Sequence, residues 1–331
     1  MREPFRIGVT RDIRTDDRTA VYDLSLLDED GLEWEFLPET VRVLRPGDLS
    51  GYDAVVCFAP RVPREAIEAA DRLKLLARLG VGFDTVDVDA CTEHGILVSI
   101  TPDGVRRPMA SAAMAFVLAL AHQLPQKDRR VRAGKWDRFA FGGTGLTSRT
   151  LGLIGVGNLG TDLARLAEPW AMRIVAHDPY AAAAPPGVEL VDLDTLLSES
   201  DFVVVLCPLT EETRGLLDPE RLARMKSTAF LVNVARGPIV DQRALADALA
   251  EGRLAGAALD VFDPEPVDPT DPLLELENVI LSPHAIGLTD EIYRESGRSA
   301  ARSVIAVAAG RVPEYVVNRE ALSHPRLAAL A

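Results

Sequence analysis

Leu151-Gly152-Leu153-Ile154-Gly155-Val156-Gly157-Asn158-Leu159-Gly160 is the stretch that decides the fold of this chain. Its first four residues are typical of a short buried strand, and the strand runs directly into a glycine-rich turn. The next residues, 161–170, place their apolar side chains on one face of a helix, and a second apolar strand follows over 172–176. The pattern predicts a strand–helix–strand unit of a parallel sheet.

The three glycines of the turn, Gly155, Gly157 and Gly160, have the spacing G-x-G-x-x-G. In such a motif the first glycine permits the tight turn, the second lets a pyrophosphate approach the backbone, and the third lets helix and strand pack closely. The N-terminus of the helix then presents unpaired N–H groups and a positive dipole end to the phosphates. The spacing and its context predict a dinucleotide-binding site.

Asp178 follows the second strand, at the position where a carboxylate can accept hydrogen bonds from both ribose hydroxyls. A carboxylate there repels a 2′-phosphate, and no arginine follows directly in Pro179-Tyr180-Ala181 to bind one. We therefore expect NAD rather than NADP. The alternative is an ordinary strand–helix–strand unit with a surface aspartate.

Composition limits the classes of protein. A chain of 331 residues with 47% apolar and 26% charged residues is typical of a globular protein with two domains. The net charge of −14 argues against nucleic acid or an anionic membrane as a partner. Three scattered cysteines, Cys57, Cys91 and Cys207, and the absence of HxxxH or HExxH spacing predict no metal site, no disulfide framework and a cytoplasmic location.

The first hundred residues also alternate short strands with helices, which predicts a second α/β lobe with a parallel sheet. Thr101-Pro102-Asp103-Gly104 is expected to break the chain between the lobes. The most apolar run, Met109 to Leu124, lies between two prolines and is too short to span a bilayer, so we expect a buried helix there.

Three residues that follow predicted strands form a candidate catalytic group: Arg236, Glu265 and His284. Ligands of open α/β sheets bind at the carboxyl ends of the strands. A guanidinium can clamp the carboxylate and the ketone of a 2-keto acid, and a histidine beside a carboxylate can donate the proton that accompanies hydride transfer. Taken singly, each has an ordinary interpretation, as a solvated arginine, a surface acid and a turn histidine.

A second glycine loop, Gly80-Val81-Gly82, follows a strand of the first lobe. Backbone N–H groups exposed in such a loop can bind a carboxylate. A plain turn is the alternative.

Four stretches of the chain resemble the D-isomer-specific 2-hydroxyacid dehydrogenase family, and the resemblance covers nearly all of it. The stretches are residues 151–160, Asn233 to Asp241, Ala257 to Pro266, and Ser282-Pro283-His284. The resemblance implies that Arg236, Glu265 and His284 are catalytic and that Arg236, His284, Val81 and Gly82 bind the substrate. It implies nucleotide contacts at Gly155, Gly157, Asn158, Leu159, Gly160, Asp178, Pro208, Thr213, Val234, Ala235 and Asp260.

The resemblance also implies an architecture and an activity. The fold would comprise two Rossmann-like lobes with parallel sheets: a discontinuous, flavodoxin-like substrate domain (residues 1–102 and 285–331) and an inserted NAD-binding domain (103–284). The activity would be NAD-dependent hydride transfer between nicotinamide and a small 2-keto or 2-hydroxy acid of D configuration. Members are usually homodimers through the nucleotide domain.

Several residues depart from the family pattern. Ser111 stands where a glutamate is frequent, and Arg106-Arg107-Pro108 is unusual and is expected near the cleft. Phosphoglycerate dehydrogenases tend to carry a phosphate-binding arginine near the position of Cys57, so a phosphorylated substrate is disfavoured unless Arg61 or Arg106 replaces it.

Two alternatives remain open. Some transcriptional corepressors resemble this family, sense NAD and bind short peptides. Phosphite and formate oxidation also occur on this fold, but formate dehydrogenases carry glutamine where Glu265 stands.

Overall fold

The structure, a computed structural model, describes residues 3–16, 19–140 and 142–330. Its strands are β1 (Phe5–Val9), β2 (Leu32–Phe36), β3 (Ala54–Cys57), β4 (Leu75–Arg78), β5 (Leu97–Ser99), β6 (Thr150–Ile154), β7 (Arg173–His177), β8 (Val188–Leu190), β9 (Phe202–Val205), β10 (Phe230–Asn233), β11 (Gly256–Leu259) and β12 (Val279–Leu281). Its α-helices are α1 (Arg64–Glu68), α2 (Val88–Glu93), α3 (Pro102–Ala121), α4 (Leu124–Arg132), α5 (Asn158–Ala167), α6 (Leu193–Glu199), α7 (Pro219–Leu222), α8 (Gln242–Ala250) and α9 (Asp290–Ala308).

The chain folds into two compact units, of which the first comprises residues 1–105 and 288–331. Its five strands are all parallel and have the order β2-β1-β3-β4-β5. Apolar side chains cover both faces of the sheet, with Ile7 and Leu75 in one cluster and Val55 and Leu76 in the other. This strand order is that of flavodoxin-like sheets.

The second unit, residues 106–287, is inserted between the two segments of the first. Its seven parallel strands have the order β12-β11-β10-β9-β6-β7-β8, which contains the Rossmann order around β6. Each face again has its own apolar cluster. The predicted fold class, two lobes with parallel sheets and one lobe inserted into the other, is confirmed. The assignment of the first unit to substrate binding and of the second unit to NAD binding stays a prediction.

The long helix α3 begins earlier than the sequence suggested. Pro102 is the first residue of α3, so the prediction that residues 101–104 break the chain before the helix is wrong. A proline is well suited to the first helical turn because its missing N–H would have no partner there. Among the described residues α3 is the only helix long and apolar enough to cross a membrane, but 61% of its most apolar window is buried within the fold. Its side chains from Ala110 to Ala121 belong to the core of the second unit.

The sequence patterns did not predict the short elements α2, α4, α6, α7 and β8. Side chains cap some of them. Asp87 accepts a hydrogen bond from the Ala90 nitrogen at the start of α2, and Asp192 accepts one from Thr195 at the start of α6. The helix after the glycine turn begins at Asn158, three residues before its predicted start.

Candidate active site

The glycine turn after β6 needs glycine at two positions. Gly155 has a φ of +103°, and a Cβ atom there would lie 2.9 Å from the Cys207 nitrogen. A Cβ atom at Gly160 would lie 2.4 Å from the Gly155 oxygen. Any larger residue would therefore displace the turn or the helix from β6.

Helix α5 starts directly after this turn, with Gly157 at its N-cap. No described side chain caps the first turn of α5, so its N–H groups remain available to a ligand. No described atom lies within 4 Å of the position that a Cβ atom would take at Gly157. The backbone here is open to a phosphate group.

Asp178 lies just after β7 and is bound to the glycine turn. One of its oxygens, Oδ2, accepts a hydrogen bond from the Val156 nitrogen at 3.0 Å, and Oδ1 accepts one from the Tyr180 nitrogen at 3.0 Å. A pocket of about 380 Å³ is lined by Val156, Gly157, Thr161, Asp178, Tyr180, Ala181, Ala183, Ala184, Pro185 and Pro186. Asp178 is the only charged residue among those that line this pocket.

The next predicted nucleotide contacts follow β9 and β10. The Thr213 hydroxyl donates to the Pro208 oxygen at 2.7 Å, so these two residues lie in one tight loop. Val234 is buried directly after β10 and Ala235 is half-buried. Both segments lie at the carboxyl ends of adjacent strands.

Arg236 is positioned by residues around it. The buried Asn233 accepts a hydrogen bond from the Ala235 nitrogen at 3.0 Å through Oδ1 and donates to the Arg236 oxygen at 3.0 Å through Nδ2. At Gly237 a Cβ atom would lie 2.0 Å from the Phe262 oxygen, so only glycine lets this loop approach the loop after β11. The role of Asn233 was not predicted; its only sequence signal is a polar residue at the end of an apolar strand.

His284 and Glu265 form a direct pair, with His284 Nδ1 2.8 Å from Glu265 Oε2. The other oxygen of Glu265 accepts a hydrogen bond from the Phe262 nitrogen at 3.0 Å. Burial alone would raise the pKa of Glu265, but the hydrogen bond and charge of His284, the Phe262 amide and the charge of Arg236 together lower it. The carboxylate is thus ionised and can only accept, so Nδ1 carries the proton and Nε2 faces away from Glu265.

Asp260 supports the loop that carries His284. Its Oδ1 accepts hydrogen bonds from the Ala285 and Ile286 nitrogens at 2.8 Å and 3.0 Å. Burial raises the pKa of Asp260 above its usual value, although the hydrogen bonds from Ser282 and these two amides oppose the rise. Asp260 was predicted only as a nucleotide contact, which stays a prediction; its link to the histidine loop was not predicted.

The Gly80-Val81-Gly82 loop belongs to the first unit. Gly80 exchanges hydrogen bonds with the buried Thr101: its nitrogen donates to Thr101 Oγ1 at 2.8 Å, and its oxygen accepts from the Thr101 nitrogen at 2.9 Å. The Gly82 oxygen accepts a hydrogen bond from Arg78 Nε at 3.0 Å. Within the described part of the chain, the Val81 and Gly82 nitrogens donate to no protein acceptor.

Two of the residues that depart from the family pattern, Arg107 and Ser111, have local partners in the second unit. Arg107 Nη2 lies 3.0 Å from Oδ1 of the buried Asp162 on α5. Ser111 is exposed, and its hydroxyl donates to the Pro108 oxygen at 2.8 Å within α3.

These features fit a dinucleotide. The open backbone at Gly157 and the uncapped start of α5 suit a pyrophosphate, and the Asp178 pocket suits a ribose.

Comparisons with known proteins identify the family of the chain. Residues 114–285 match the family model described as D-isomer specific 2-hydroxyacid dehydrogenase, NAD binding domain. Over 279 residues the chain is 39% identical to a glyoxylate reductase of Thermofilum pendens, which covers 82% of each protein. It is also 39% identical to a D-3-phosphoglycerate dehydrogenase of Archaeoglobus fulgidus over 88% of this chain, but it spans only 56% of that relative.

A solved structure shows the same architecture. The crystal structure of D-lactate dehydrogenase from Aquifex aeolicus, complexed with NAD and lactic acid, superposes with a TM-score of 0.82 at 28% identity. The match covers 92% of this chain and 96% of that one. The chain therefore belongs to the D-isomer-specific 2-hydroxyacid dehydrogenase family, whose members are NAD(P)-dependent oxidoreductases of small 2-keto and 2-hydroxy acids.

Proposed function

We propose that this protein reduces a small 2-keto acid to the D-2-hydroxy acid, or catalyses the reverse oxidation, with NADH as its preferred cofactor. The observation that carries the proposal is the His284–Glu265 pair, with Nδ1 and Oε2 2.8 Å apart, in the unit that also carries the glycine turn. A histidine held by a carboxylate is the arrangement that general acid–base catalysis requires.

In this proposal each of the three residues has a separate task. Arg236 binds the substrate carboxylate and keto oxygen through its fork of donors. His284 holds a proton on Nε2 and delivers it to the carbonyl oxygen during reduction, while the bound nicotinamide supplies the hydride. Glu265 accepts from Nδ1, which fixes the orientation of the imidazole and stabilises its protonated form.

The cofactor preference rests on Asp178. Both of its oxygens already accept one backbone hydrogen bond, and each keeps a lone pair for a ribose hydroxyl. A 2′-phosphate would meet this carboxylate in a pocket whose lining residues include no arginine or lysine. The Val81 and Gly82 amides are proposed as a further contact of the substrate carboxylate.

The test is a steady-state panel of glyoxylate, hydroxypyruvate and pyruvate, each with NADH and with NADPH. We expect kcat/KM to be about 10- to 100-fold higher with NADH, which is the scale of a charged hydrogen bond. The panel also includes the oxidation of 3-phosphoglycerate with NAD. Because the sequence disfavours a phosphorylated substrate, we expect little activity in this assay. Equal kcat/KM with both cofactors would refute the assignment of Asp178.

The variant His284→Ala tests the acid–base role of the histidine. We expect kcat to fall by about 10²- to 10⁴-fold while the Kd of NADH, measured by fluorescence, stays within experimental error. If the wild-type protein turns over no 2-keto acid with either cofactor, the enzyme assignment is wrong and the NAD-sensing alternative gains support. A homodimer remains a prediction from the family resemblance, and a cytoplasmic location remains a prediction from the three scattered cysteines.

A further inference from the structure

Arg78, the last residue of β4, is a buried guanidinium that the family comparison does not explain. Only 8% of the residue is exposed, and its Nη1 is buried without a hydrogen-bond partner among the described residues. No described carboxylate oxygen lies within 4.0 Å of a side-chain nitrogen of Arg78, the distance that defines an ion pair. A buried positive charge with an incomplete set of partners is costly, so its retention calls for an explanation.

The groups around Arg78 are two neutral side chains and one acid that forms no ion pair with it. Cys57 lies beside it on β3, and burial raises the pKa of this thiol, so it stays neutral. Burial also raises the pKa of the nearby Tyr22 hydroxyl, which stays neutral too. The acid in this region, Asp12, uses Oδ2 to accept from the Ala59 nitrogen at 2.8 Å. Its Oδ1 is buried without a hydrogen-bond partner among the described residues, and no ion pair joins it to Arg78.

The one hydrogen bond that Arg78 makes to the loop determines which way the loop faces. Arg78 Nε donates to the Gly82 oxygen at 3.0 Å, and Thr101 fixes Gly80 at the other end of the loop. While Arg78 holds the Gly82 carbonyl, the Val81 and Gly82 nitrogens have no hydrogen-bond acceptor among the described residues, and Val81 is 42% exposed. Two free amides backed by a buried positive charge form a site for an anion.

We propose that Arg78 is a positioning residue for substrate binding: it holds the Val81-Gly82 amides in place and adds its buried charge to the field that attracts the substrate carboxylate. The inference rests on the proposed function for the identity of the anion as a 2-keto acid. It assigns to Arg78 no contact with the reacting atoms.

The experiment compares substitutions of Arg78 that remove its charge and its donor separately. Arg78→Met removes both, Arg78→Gln keeps a donor without the charge, and Arg78→Lys keeps a charge and a donor. For Arg78→Met we expect KM for glyoxylate, and the Kd of oxalate for the enzyme–NADH complex measured by calorimetry, to rise by roughly 10- to 100-fold. We expect the KM for NADH to stay unchanged, kcat to change much less than KM, Arg78→Gln to be intermediate and Arg78→Lys to recover most of the affinity.

Arg72→Met is the matched control. Arg72 precedes the same strand and pairs with the buried Asp53 at the opposite end of the sheet, with Nη2 2.8 Å from Oδ2. This variant should lower thermal stability without raising the KM for glyoxylate. If Arg78→Met does not fold, Arg78→Gln takes its place in the comparison.

The outcomes separate the inference from the proposed function. If the wild type reduces 2-keto acids and the neutral Arg78 variants keep its glyoxylate KM and oxalate Kd, the inference is wrong and the function stands. A rise in the NADH KM in proportion to the glyoxylate KM would also overturn it, because that is the mark of general damage. If the wild type is inactive but binds oxalate, and Arg78→Met weakens that binding, the inference holds and the proposed function fails.

Discussion

At the residue scale, the backbone at His284 is as informative as its side chain. His284 has a φ of +53°, in the left-handed region that residues with a Cβ rarely adopt. Such a conformation persists only where the surroundings enforce it. Here the buried Asp260 carboxylate binds the next two amides, at Ala285 and Ile286. The orientation of the imidazole therefore depends on Asp260 as well as on Glu265.

The Glu265–His284 pair leads to a prediction about pH. The pKa of Glu265 is lowered, so its carboxylate stays charged across the neutral range and stabilises a protonated imidazole. In Glu265→Gln that stabilisation is lost. Because reduction needs the protonated form, its loss of activity at high pH should begin at lower pH than in the wild type. The oxidation direction needs the neutral form, so its acidic limb should extend to lower pH.

The measurement is kcat/KM against pH in both directions for the wild type and Glu265→Gln. Glu275→Gln, an exposed acid in a turn of the same unit, is the control and should leave both profiles unchanged. Profiles for Glu265→Gln that superpose on those of the wild type would mean that Glu265 does not act through His284.

Some of these residue-level features could be predicted from the sequence, and others could not. Arg236, Glu265 and His284 each follow an apolar strand, and the carboxyl ends of parallel strands converge, so their association in one site is foreseeable. Asn233 and Arg78 act instead through bonds to main-chain atoms three or four residues away. Such bonds depend on loop dihedral angles, which leave no periodic signal in the sequence.

At the element scale, the glycine turn before α5 offers a substitution that should weaken cofactor binding without impairing folding. Gly157 lies outside the left-handed region, and no described atom would contact a Cβ atom there. Gly157→Ala should therefore fold normally, but its methyl group would occupy the space into which the phosphates must come. We expect the Kd of NADH to rise by about 10-fold or more, since overpacking of a tight contact costs 1–3 kcal/mol.

The control for this substitution is Gly145→Ala, at a second glycine with no described atom within 4 Å of the Cβ position. Both variants should keep the thermal midpoint of the wild type in the absence of cofactor, and only Gly157→Ala should lose affinity in a fluorescence titration with NADH. Wild-type affinity in Gly157→Ala would place the pyrophosphate elsewhere.

The strands could be predicted from the sequence where both faces of the strand are buried, because such a strand is a continuous apolar run. The strand predicted at the start of the 151–160 stretch corresponds to β6, and the strand predicted over 172–176 differs from β7 by one residue at each end. The start of α3 was missed because Pro102 and Gly104 indicate a turn when judged alone. In the fold a Cβ atom at Gly104 would lie 2.4 Å from the Ser296 nitrogen of α9, so Gly104 is selected for helix packing rather than for a turn.

At the scale of the whole molecule, each unit has its own sheet and its own pair of apolar clusters. All proposed cofactor contacts, from Gly155 to Asp260, lie within residues 106–287. A ligand that binds only the folded form of one unit raises the free energy of unfolding of that unit by mass action. The two units are therefore expected to respond differently to NADH.

NADH at a concentration of about 100 times its Kd should raise the unfolding free energy of residues 106–287 by about 2.7 kcal/mol. For a unit of this size each kcal/mol corresponds to roughly 2–4 °C, so its calorimetric transition should move up by roughly 5–11 °C. Hydrogen exchange followed by mass spectrometry assigns the gain, which should appear in the strands β6 to β12 and not in β1 to β5. NADPH at the same concentration is the control and should give a smaller shift, because it faces Asp178. Equal protection of both sheets would show that the two units unfold together. The assignment of cofactor binding to residues 106–287 would then rest on the Gly157→Ala titration alone.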